Sequence, residues 1–379
     1  MTPAAAHEGF VGQALALARS ACYITSPNPR VGCVLVSSDG KVIGEGHTQK
    51  AGGPHAEVAA LADAAAQGRD TAGATAYVTL EPCSHHGRTG PCCDALIAAG
   101  IKKVVASLPD PNPLVGGQGF ARLRAAGVEV EIGPGAAESR ELNIGFFSRM
   151  IRKTPWVRMK VAASLDGKTA LMNGQSQWIT GEAARTDGHA WRARSCAVLT
   201  GIGTVLEDNP RLDVRLVDTP RQPHLVVVDS RLETPPDAKL FIAGRALYIY
   251  AAVPDGAKKQ ALEARGAKVI YLPGPTGKVD LAAMLLDLAK REINELHVEA
   301  GHKLNGSFLR EGLVDELLLY SAPQLLGTAQ GMASFGPLES LQDAVRLRFL
   351  STQLVGDDLR ILARVTGRDQ FQVDFHRSD

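Results

Sequence analysis

His55-Ala56-Glu57-Val58-Ala59-Ala60-Leu61, then Thr79-Leu80-Glu81-Pro82-Cys83, then Pro91-Cys92-Cys93-Asp94-Ala95-Leu96, decide the fold of the first half of this chain. The apolar residues after His55 and after Pro91 recur at helical spacing, and a short apolar strand runs into Pro82. The order is helix, strand, helix. Pro82 and Pro91 each precede a Cys, and Pro is favoured in the first turn of a helix. A helix N-terminus lowers the pKa of a thiol placed on it. This reading puts His55, Cys83 and Cys92 all at helix starts, with both thiols prepared to ionise.

One imidazole and two thiolates fill three tetrahedral positions on Zn2+ and leave the fourth for water, as in catalytic rather than closed structural sites. Zinc brings the pKa of such a water near neutrality. Glu57 is not a ligand in this pattern; it is placed to carry a proton from the water to a departing amine. These are the parts of a zinc-dependent deaminase with one zinc per chain. The competing reading is a closed structural site that recruits Cys93, His85 or His86. Nucleobase deaminases place their two Cys three positions apart; here Cys83 and Cys92 stand nine apart. The insert, Ser84-His85-His86-Gly87-Arg88-Thr89-Gly90-Pro91, is polar and loop-forming. A loop between two metal ligands lies beside the substrate. Arg88 within it suits an anionic group such as phosphate, against the plainer reading of a solvated surface charge.

The chain has 379 residues, 45% of them apolar, and a net charge of +1. That length suggests two or three domains. The balanced charge argues against a dedicated nucleic-acid or membrane-surface protein. No apolar run reaches transmembrane length, and no signal peptide opens the sequence. Six scattered Cys read as usage in a reducing cytoplasm rather than a disulfide framework.

The first half alternates regularly. Helices are expected over 9–22, 56–67, 92–99 and 119–126, and strands over 31–36, 41–46, 74–80, 102–107 and 128–132. Such alternation implies an α/β sandwich with a mixed sheet. It gives a first domain over 1–150, a polar linker Ile151-Arg152-Lys153-Thr154-Pro155, and a second domain over 151–379. There strands are expected at 156–163, 197–200, 223–228, 246–250, 267–272 and 296–299, then at 316–321, 347–354 and 358–364, the last ones antiparallel. Three segments carry chemistry. Ser164-Leu165-Asp166-Gly167-Lys168, with Ser176-Gln177-Trp178-Ile179-Thr180, follows the first strand, at the carboxyl end where α/β sheets bind ligands. Thr200-Gly201-Ile202-Gly203-Thr204 and Glu299-Ala300-Gly301-His302-Lys303 each pass from a strand through a glycine into a helix, which suits a phosphate-bearing cofactor. The residues alone read as a nucleotide-binding α/β domain, with a regulatory fold as the alternative.

Together these segments resemble the family of bifunctional deaminase–reductases of bacterial riboflavin biosynthesis. The resemblance rests on Pro27-Asn28-Pro29-Arg30-Val31-Gly32-Cys33, His55-Ala56-Glu57, Thr79 to Thr89 and Asp110-Pro111-Asn112-Pro113. In the second half it rests on Ala162 to Lys168, Ser176 to Thr180, Gly203 to Pro210 and Val298 to Gly301. It implies a cytidine-deaminase-like α/β/α sandwich followed by a dihydrofolate-reductase-like α/β domain. It also implies two activities on a small phosphorylated pyrimidine. The first is hydrolytic deamination of a diamino-ribosylamino-pyrimidinone 5′-phosphate; the second is NADPH-dependent reduction of the ribosyl group to ribityl. Carried over by position, His55, Cys83 and Cys92 are the zinc ligands and Glu57 the proton shuttle. Asn28, His47, Arg88 and Asn112 become substrate contacts of the deaminase. Ser176, Arg192, Leu212, Arg215 and Glu299 become substrate positions of the reductase, with Arg192 and Arg215 suited to the phosphate. Ala162, Trp178, Thr204, Asp208, Ser230 and the turn Gly301, His302, Lys303, Leu304, Asn305, Gly306, Ser307 become cofactor positions. His302 and Lys303 are bulkier and more basic than the family's usual residues there. Ser230 and Arg231 suit the 2′-phosphate of NADPH, while Asp229 reads equally as a ribose partner for NADH.

The rival enzyme reading is a monofunctional nucleobase, nucleoside or tRNA deaminase with a non-catalytic C-terminal domain. A non-enzyme reading keeps zinc as a structural clip in a pyrimidine sensor. The expected setting is a cytoplasmic homo-oligomer.

Overall fold

The computed structural model describes residues 3–86, 90–113 and 115–371. The chain divides into two compact units. One runs to Lys153 and takes back Phe371, whose ring packs 5.9 Å from that of Phe147; the other spans Thr154–Gln370.

In the first unit α1 (Pro3–Ser20) precedes β1 (Gly32–Val36), β2 (Val42–His47), α2 (Ala56–Ala66) and β3 (Thr75–Val78). Then come α3 (Cys92–Ala98), β4 (Lys103–Ala106), α4 (Gln118–Ala125), β5 (Glu129–Ile132), α5 (Ala136–Leu142) and α6 (Ile144–Arg152). The sheet order is β2-β1-β3-β4-β5. β1 is antiparallel to both neighbours, and β3, β4 and β5 run parallel. Every residue of β1 is buried, as a central strand covered on both faces requires. The alanine-rich α2 lies very close to β2. A Cβ on Gly44 would come within 2.4 Å of Ala60 O, and one on Gly46 within 2.4 Å of Ala60 N. Small residues on both sides thus set the helix whose first turn carries His55 and Glu57.

In the second unit the elements are β6 (Trp156–Ser164), β7 (Lys168–Ala170), α7 (Glu182–Arg194), β8 (Ala197–Gly201), α8 (Ile202–Asp208), β9 (His224–Val228), β10 (Leu247–Ala251) and α9 (Gly256–Ala264). They continue with β11 (Ala267–Tyr271), α10 (Leu281–Lys290), β12 (Glu295–Val298), α11 (His302–Arg310), β13 (Glu316–Ala322), β14 (Gln330–Gly331), β15 (Leu347–Val355) and β16 (Asp358–Val365). The main sheet runs β11-β10-β9-β8-β12-β6-β13-β16-β15. It is parallel from β11 to β13, and β16 and β15 close it antiparallel. Fully buried Trp156, Tyr250, Phe308 and Met159 fill its core, each worth roughly 1.5–3 kcal/mol by burial. Towards the amino ends of β6, β12 and β13 a buried ion network is set in the sheet. Arg158 binds Glu295 and Glu316, Arg364 binds Glu316, and Arg194 binds Glu295.

The structure corrects the expected elements in four places. Cys83 is not at a helix start; it lies in a loop. Helices α5 and α6 fill 136–152, where no element was expected, and α6 takes in the first two residues of the expected linker. Helix α1 begins earlier than expected. Gly301–Ser307 is not a turn: Gly301 is the N-cap, and His302 already begins α11.

Candidate active sites

The first site forms at one end of the five-stranded sheet. Gly32, at the start of β1, pairs with His47, at the end of β2. Thr79, just past β3, donates its N–H to Gly32 O and accepts the Gly32 N–H on Oγ1, both at 3.1 Å. The Glu81 N–H bonds Leu108 O at 3.0 Å. Residues 28–32, 47–57, 79–83 and 107–112 therefore converge.

His55 is the N-cap of α2 and Cys92 the first residue of α3. Cys83 reaches a helix start in space rather than in sequence, because the Cys92 N–H donates to its Sγ at 3.4 Å. His55 Nδ1 lies 3.6 Å from Cys83 Sγ and 3.4 Å from Cys92 Sγ, and the three ligand atoms sit within 4.8 Å of one another. Tetrahedral zinc, with bonds of about 2.3 Å to sulfur and 2.0–2.1 Å to nitrogen, sets ligand atoms about 3.5 Å apart. The donor set fits that ion. The competing fourth ligands are not in the cluster. The Cys93 thiol points to Pro82 O at 3.1 Å and is pushed up to about 12 by burial, and His85 and His86 are exposed. A hydrogen bond from Cys92, working against burial, lowers the pKa of the Cys83 thiol, the direction a metal-binding thiolate needs.

Glu57, in the first turn of α2, is 3% exposed. Burial, then the Cys83 charge, push its carboxyl up to about 7. Asn28 is half-buried in a turn, its N–H on Thr25 O at 2.8 Å. His47 is half-buried, with Nδ1 3.2 Å from Gln49 Nε2. Asn112 is half-buried in the loop after β4. Arg88 lies outside the described residues.

The second site gathers at the carboxyl ends of the parallel strands, where such sheets bind ligands. Gly201 and Gly301, the N-caps of α8 and α11, lie side by side. A Cβ on Gly201 would meet Leu304 Cδ2 at 3.0 Å, and one on Gly301 would lie 3.9 Å from Thr204 Oγ1. Thr200 Oγ1 is buried there without a hydrogen-bond partner among the described residues. Two helix starts, close glycines and an unpaired hydroxyl fit a dinucleotide pyrophosphate. Asp208 accepts from Gln177 Nε2 at 3.2 Å, beside Trp178. Trp178 is 68% exposed, with the Arg185 guanidinium 4.6 Å from its ring centroid, so it is not a core residue. Ala162 and Ser176 are half-buried, Lys303 is exposed, and His302, Leu304 and Ser307 are half-buried. Asn305 and Gly306 turn to the 332–334 segment instead: Asn305 Nδ2 donates to Met332 O at 3.0 Å, and a Cβ on Gly306 would sit 1.8 Å from Ser334 O. Ser230 Oγ accepts the Val279 N–H at 3.2 Å. The Asp229 carboxylate is buried and bonds the Glu233 and Thr234 N–H groups and the Thr234 hydroxyl. It shapes its own turn and is not presented to a ribose.

Arg192 and Glu299 form the centre of the substrate cluster. Arg192 Nε and Nη2 donate to the two Glu299 oxygens, and Nη1 donates to Asp213 O at 3.0 Å. Burial opposes the Glu299 charge, but Arg192, with help from His297 and Lys160, holds its carboxyl well below the usual range. Glu299 thus neutralises Arg192. Arg215 is half-exposed and paired with Asp213 at 2.6 Å, and its N–H donates to His189 Nδ1 at 3.1 Å. Burial, then Arg192 and Arg215, bring His189 down to about 4. Leu212 is buried at φ +49°, its carbonyl taken by Arg245. Lys160, which the sequence reading passed over, lies 3.9 Å from Glu299, and burial lowers its pKa. Its signal was a Lys two positions after Arg158 in a strand that is apolar apart from these two and its terminal Ser164. His189 and Asp213 carried none.

A zinc-site sandwich with a buried acid, followed by a dinucleotide-type parallel sheet with its own charged cluster, defines a two-domain deaminase and reductase. The cytidine and deoxycytidylate deaminase zinc-binding region matches residues 4–108, and the RibD C-terminal domain matches residues 155–361. The riboflavin biosynthesis protein RibD of Escherichia coli K12 is 44% identical, over 93% of this chain and 97% of its own length. Among solved structures, Acinetobacter baumannii RibD is 42% identical, covering 95% of this chain and 99% of that one, with a TM-score of 0.87. The Thermotoga maritima diaminohydroxyphosphoribosylaminopyrimidine deaminase/5-amino-6-(5-phosphoribosylamino)uracil reductase is 32% identical at the same coverages, with a TM-score of 0.83. This chain belongs to the RibD family, the bifunctional deaminase–reductases of riboflavin biosynthesis. Zinc serves its deaminase activity and NADPH its reductase activity. No helix among the described residues is long and apolar enough to cross a membrane.

Proposed function

We propose that residues 1–150 deaminate 2,5-diamino-6-ribosylamino-4(3H)-pyrimidinone 5′-phosphate, releasing ammonia. Residues 151–379 then reduce the ribosyl group of the product, giving 5-amino-6-ribitylamino-uracil 5′-phosphate. The observation that carries the first step is geometric: Glu57 is buried in the first turn of α2, directly after the ligand His55 and beside the cluster it forms with Cys83 and Cys92. A carboxyl held at that place is within reach of a proton on the metal side and can take it and give it back. Zinc on His55, Cys83 and Cys92 supplies the Lewis acidity that makes water nucleophilic. Glu57 takes the proton of the attacking water on its carboxylate and returns it to the leaving amine. Asn28 and Asn112 offer donor and acceptor together to the pyrimidine edge, His47 closes the same end of the sheet, and Arg88 takes the phosphate.

In the reductase NADPH supplies the hydride. The α8 and α11 starts, with Thr204 and the backbone of Gly301 to Lys303, hold the pyrophosphate. Trp178, Asp208 and Ala162 would line the cofactor site, and Ser230 with Arg231 would take the 2′-phosphate. Arg215 meets the substrate phosphate: it is half-exposed and shares its Asp213 partner with Arg211, whereas Arg192 is held by both oxygens of Glu299. Arg192 and Glu299 hold each other at the strand ends, Ser176 and Leu212 complete the substrate positions, and the half-buried Lys160 is the acid of that cluster. The enzyme works as a cytoplasmic homo-oligomer that engages neither nucleic acid nor membrane.

Incubation with the diamino substrate tests this. Without NADPH, ammonia appears and nothing is reduced. With NADPH, one cofactor is oxidised per ammonia released. NADPH oxidation without prior ammonia release would refute the order and the substrate.

A further inference from the structure

The Glu81 side chain, two residues before Cys83, is 5% exposed yet bonds no cation among the described residues. Its carboxylate instead accepts four backbone N–H groups. Oε2 takes Asp110 N at 3.0 Å and Gly117 N at 2.8 Å; Oε1 takes Gly119 N at 2.8 Å and Phe120 N at 3.3 Å. Asp110 opens the loop after β4, and Gly117 closes it as the N-cap of α4. One oxygen therefore clamps the entrance and exit of the loop, and the other caps the first turn of the helix behind it. Charge-assisted bonds to backbone N–H groups, with a carboxylate at a helix N-terminus, are among the stronger polar contacts.

Asn112 sits at the centre of that loop. Its N–H is held by Asp110 Oδ1 at 2.8 Å, and its carbonyl accepts Val115 N at 3.0 Å and Gly116 N at 2.8 Å. Gly119 permits the clamp. A Cβ there would lie 2.1 Å from Pro82 O and 3.0 Å from Glu81 Oε1. The same ligand segment is tied to α4 by Arg122, which donates to Ser84 O at 3.0 Å.

We propose that Glu81 is a positioning residue of the deaminase: it fixes Asn112 relative to the metal ligands, so that the pyrimidine meets a pre-formed edge. This rests on the reading of Asn112 as a substrate contact. Glu81 touches neither substrate nor metal; it acts through the loop. Without the clamp, substrate binding must order the loop, and that cost appears in KM rather than in the chemical step.

Glu81→Gln is the test, because an amide nitrogen must then face N–H donors. The expected result is a deaminase KM raised about tenfold, with kcat within threefold, zinc content unchanged and reductase activity unchanged. Asn112→Ala should raise KM by a similar or larger factor, and the double variant should be no worse than Asn112→Ala alone, the non-additivity of residues acting as one unit. If Asn112→Ala raises KM and Glu81→Gln does not, or if the two factors multiply, the positioning role is overturned. If Asn112→Ala leaves KM unmoved, the substrate reading of Asn112 fails, and this proposal with it. Should Glu81→Gln lose zinc, Glu81→Asp decides, because it keeps the charge. Zinc retained with raised KM supports the role; zinc lost again, or KM unmoved, overturns it.

Discussion

The zinc centre draws its ligands from one short stretch, His55 to Cys92, while the reductase cluster joins Lys160 on β6, Arg192 on α7, Asp213 and Arg215 in the loop before β9, and Glu299 past β12. The first is an arrangement of soft ligands that a metal completes. The second is a balance of opposite charges, most of them half-buried, that the parallel sheet completes. A metal site punishes the loss of any one ligand. A charge network spreads the loss, and its members answer differently according to burial.

The largest effect should follow from Cys83→Ser or Cys92→Ser. Either should remove zinc and take ammonia release below detection, and metal analysis of the purified variants checks both. Bound zinc in a deaminase-dead Cys83→Ser would break the ligand assignment. Glu57→Gln should keep zinc and lose roughly 10²–10⁴-fold in kcat, the range for a general acid–base group; activity within threefold of wild type would remove Glu57 from its role. On the other side, Glu299→Gln leaves Arg192 buried beside a neutral amide. Breaking one partner of such a pair costs about 3–5 kcal/mol, so the second unit should melt earlier and reductase activity should fall, with ammonia release intact. Arg215 is half-exposed, and its loss should be milder: Arg215→Ala should raise the reductase KM for substrate about tenfold and leave that for NADPH unchanged, the pattern of a uniform binding contact.

The smallest effect is a pH dependence. His189 is brought down to about 4 in the folded protein by burial and its two arginine neighbours, below its ordinary value of about 6.5. A depressed pKa means that the unfolded state binds the proton first. The contribution of neutral His189 to stability is therefore complete above pH 6.5 and is lost as pH falls through about 4. His189→Gln should flatten the stability of the second unit between those values; an unchanged slope in chemical denaturation would place the titration elsewhere.

The same contrast explains what could be read from the sequence. The ligand cluster, the position of Glu57 just after His55 and the alternation of strands and helices were legible because each is encoded locally, in spacing and in the residues flanking a helix start. Cys83 misled that reading: Pro82 signals a helix, but the residue takes its helix N–H from Cys92, nine positions on. Helices α5 and α6 meet at Asn143 with no other residue between them, so no turn announces either. The pairing of Arg192 with Glu299 could not be read, because partners 107 positions apart are neighbours only after β8 and β12 have aligned. For that reason Arg192 read as a free phosphate ligand, and Asp229, consumed by its own turn, read as a ribose partner. Lys160 was visible as a letter; only its burial gave it meaning.

Two separate chemistries reside in one chain. Their independence is tested most directly with full-length protein stripped of zinc by a chelator and supplied separately with each substrate. Ammonia release from the diamino compound should vanish, while NADPH oxidation with the already deaminated compound should continue at the wild-type rate. Loss of both activities, or retention of ammonia release at metal contents far below one zinc per chain, would contradict the account.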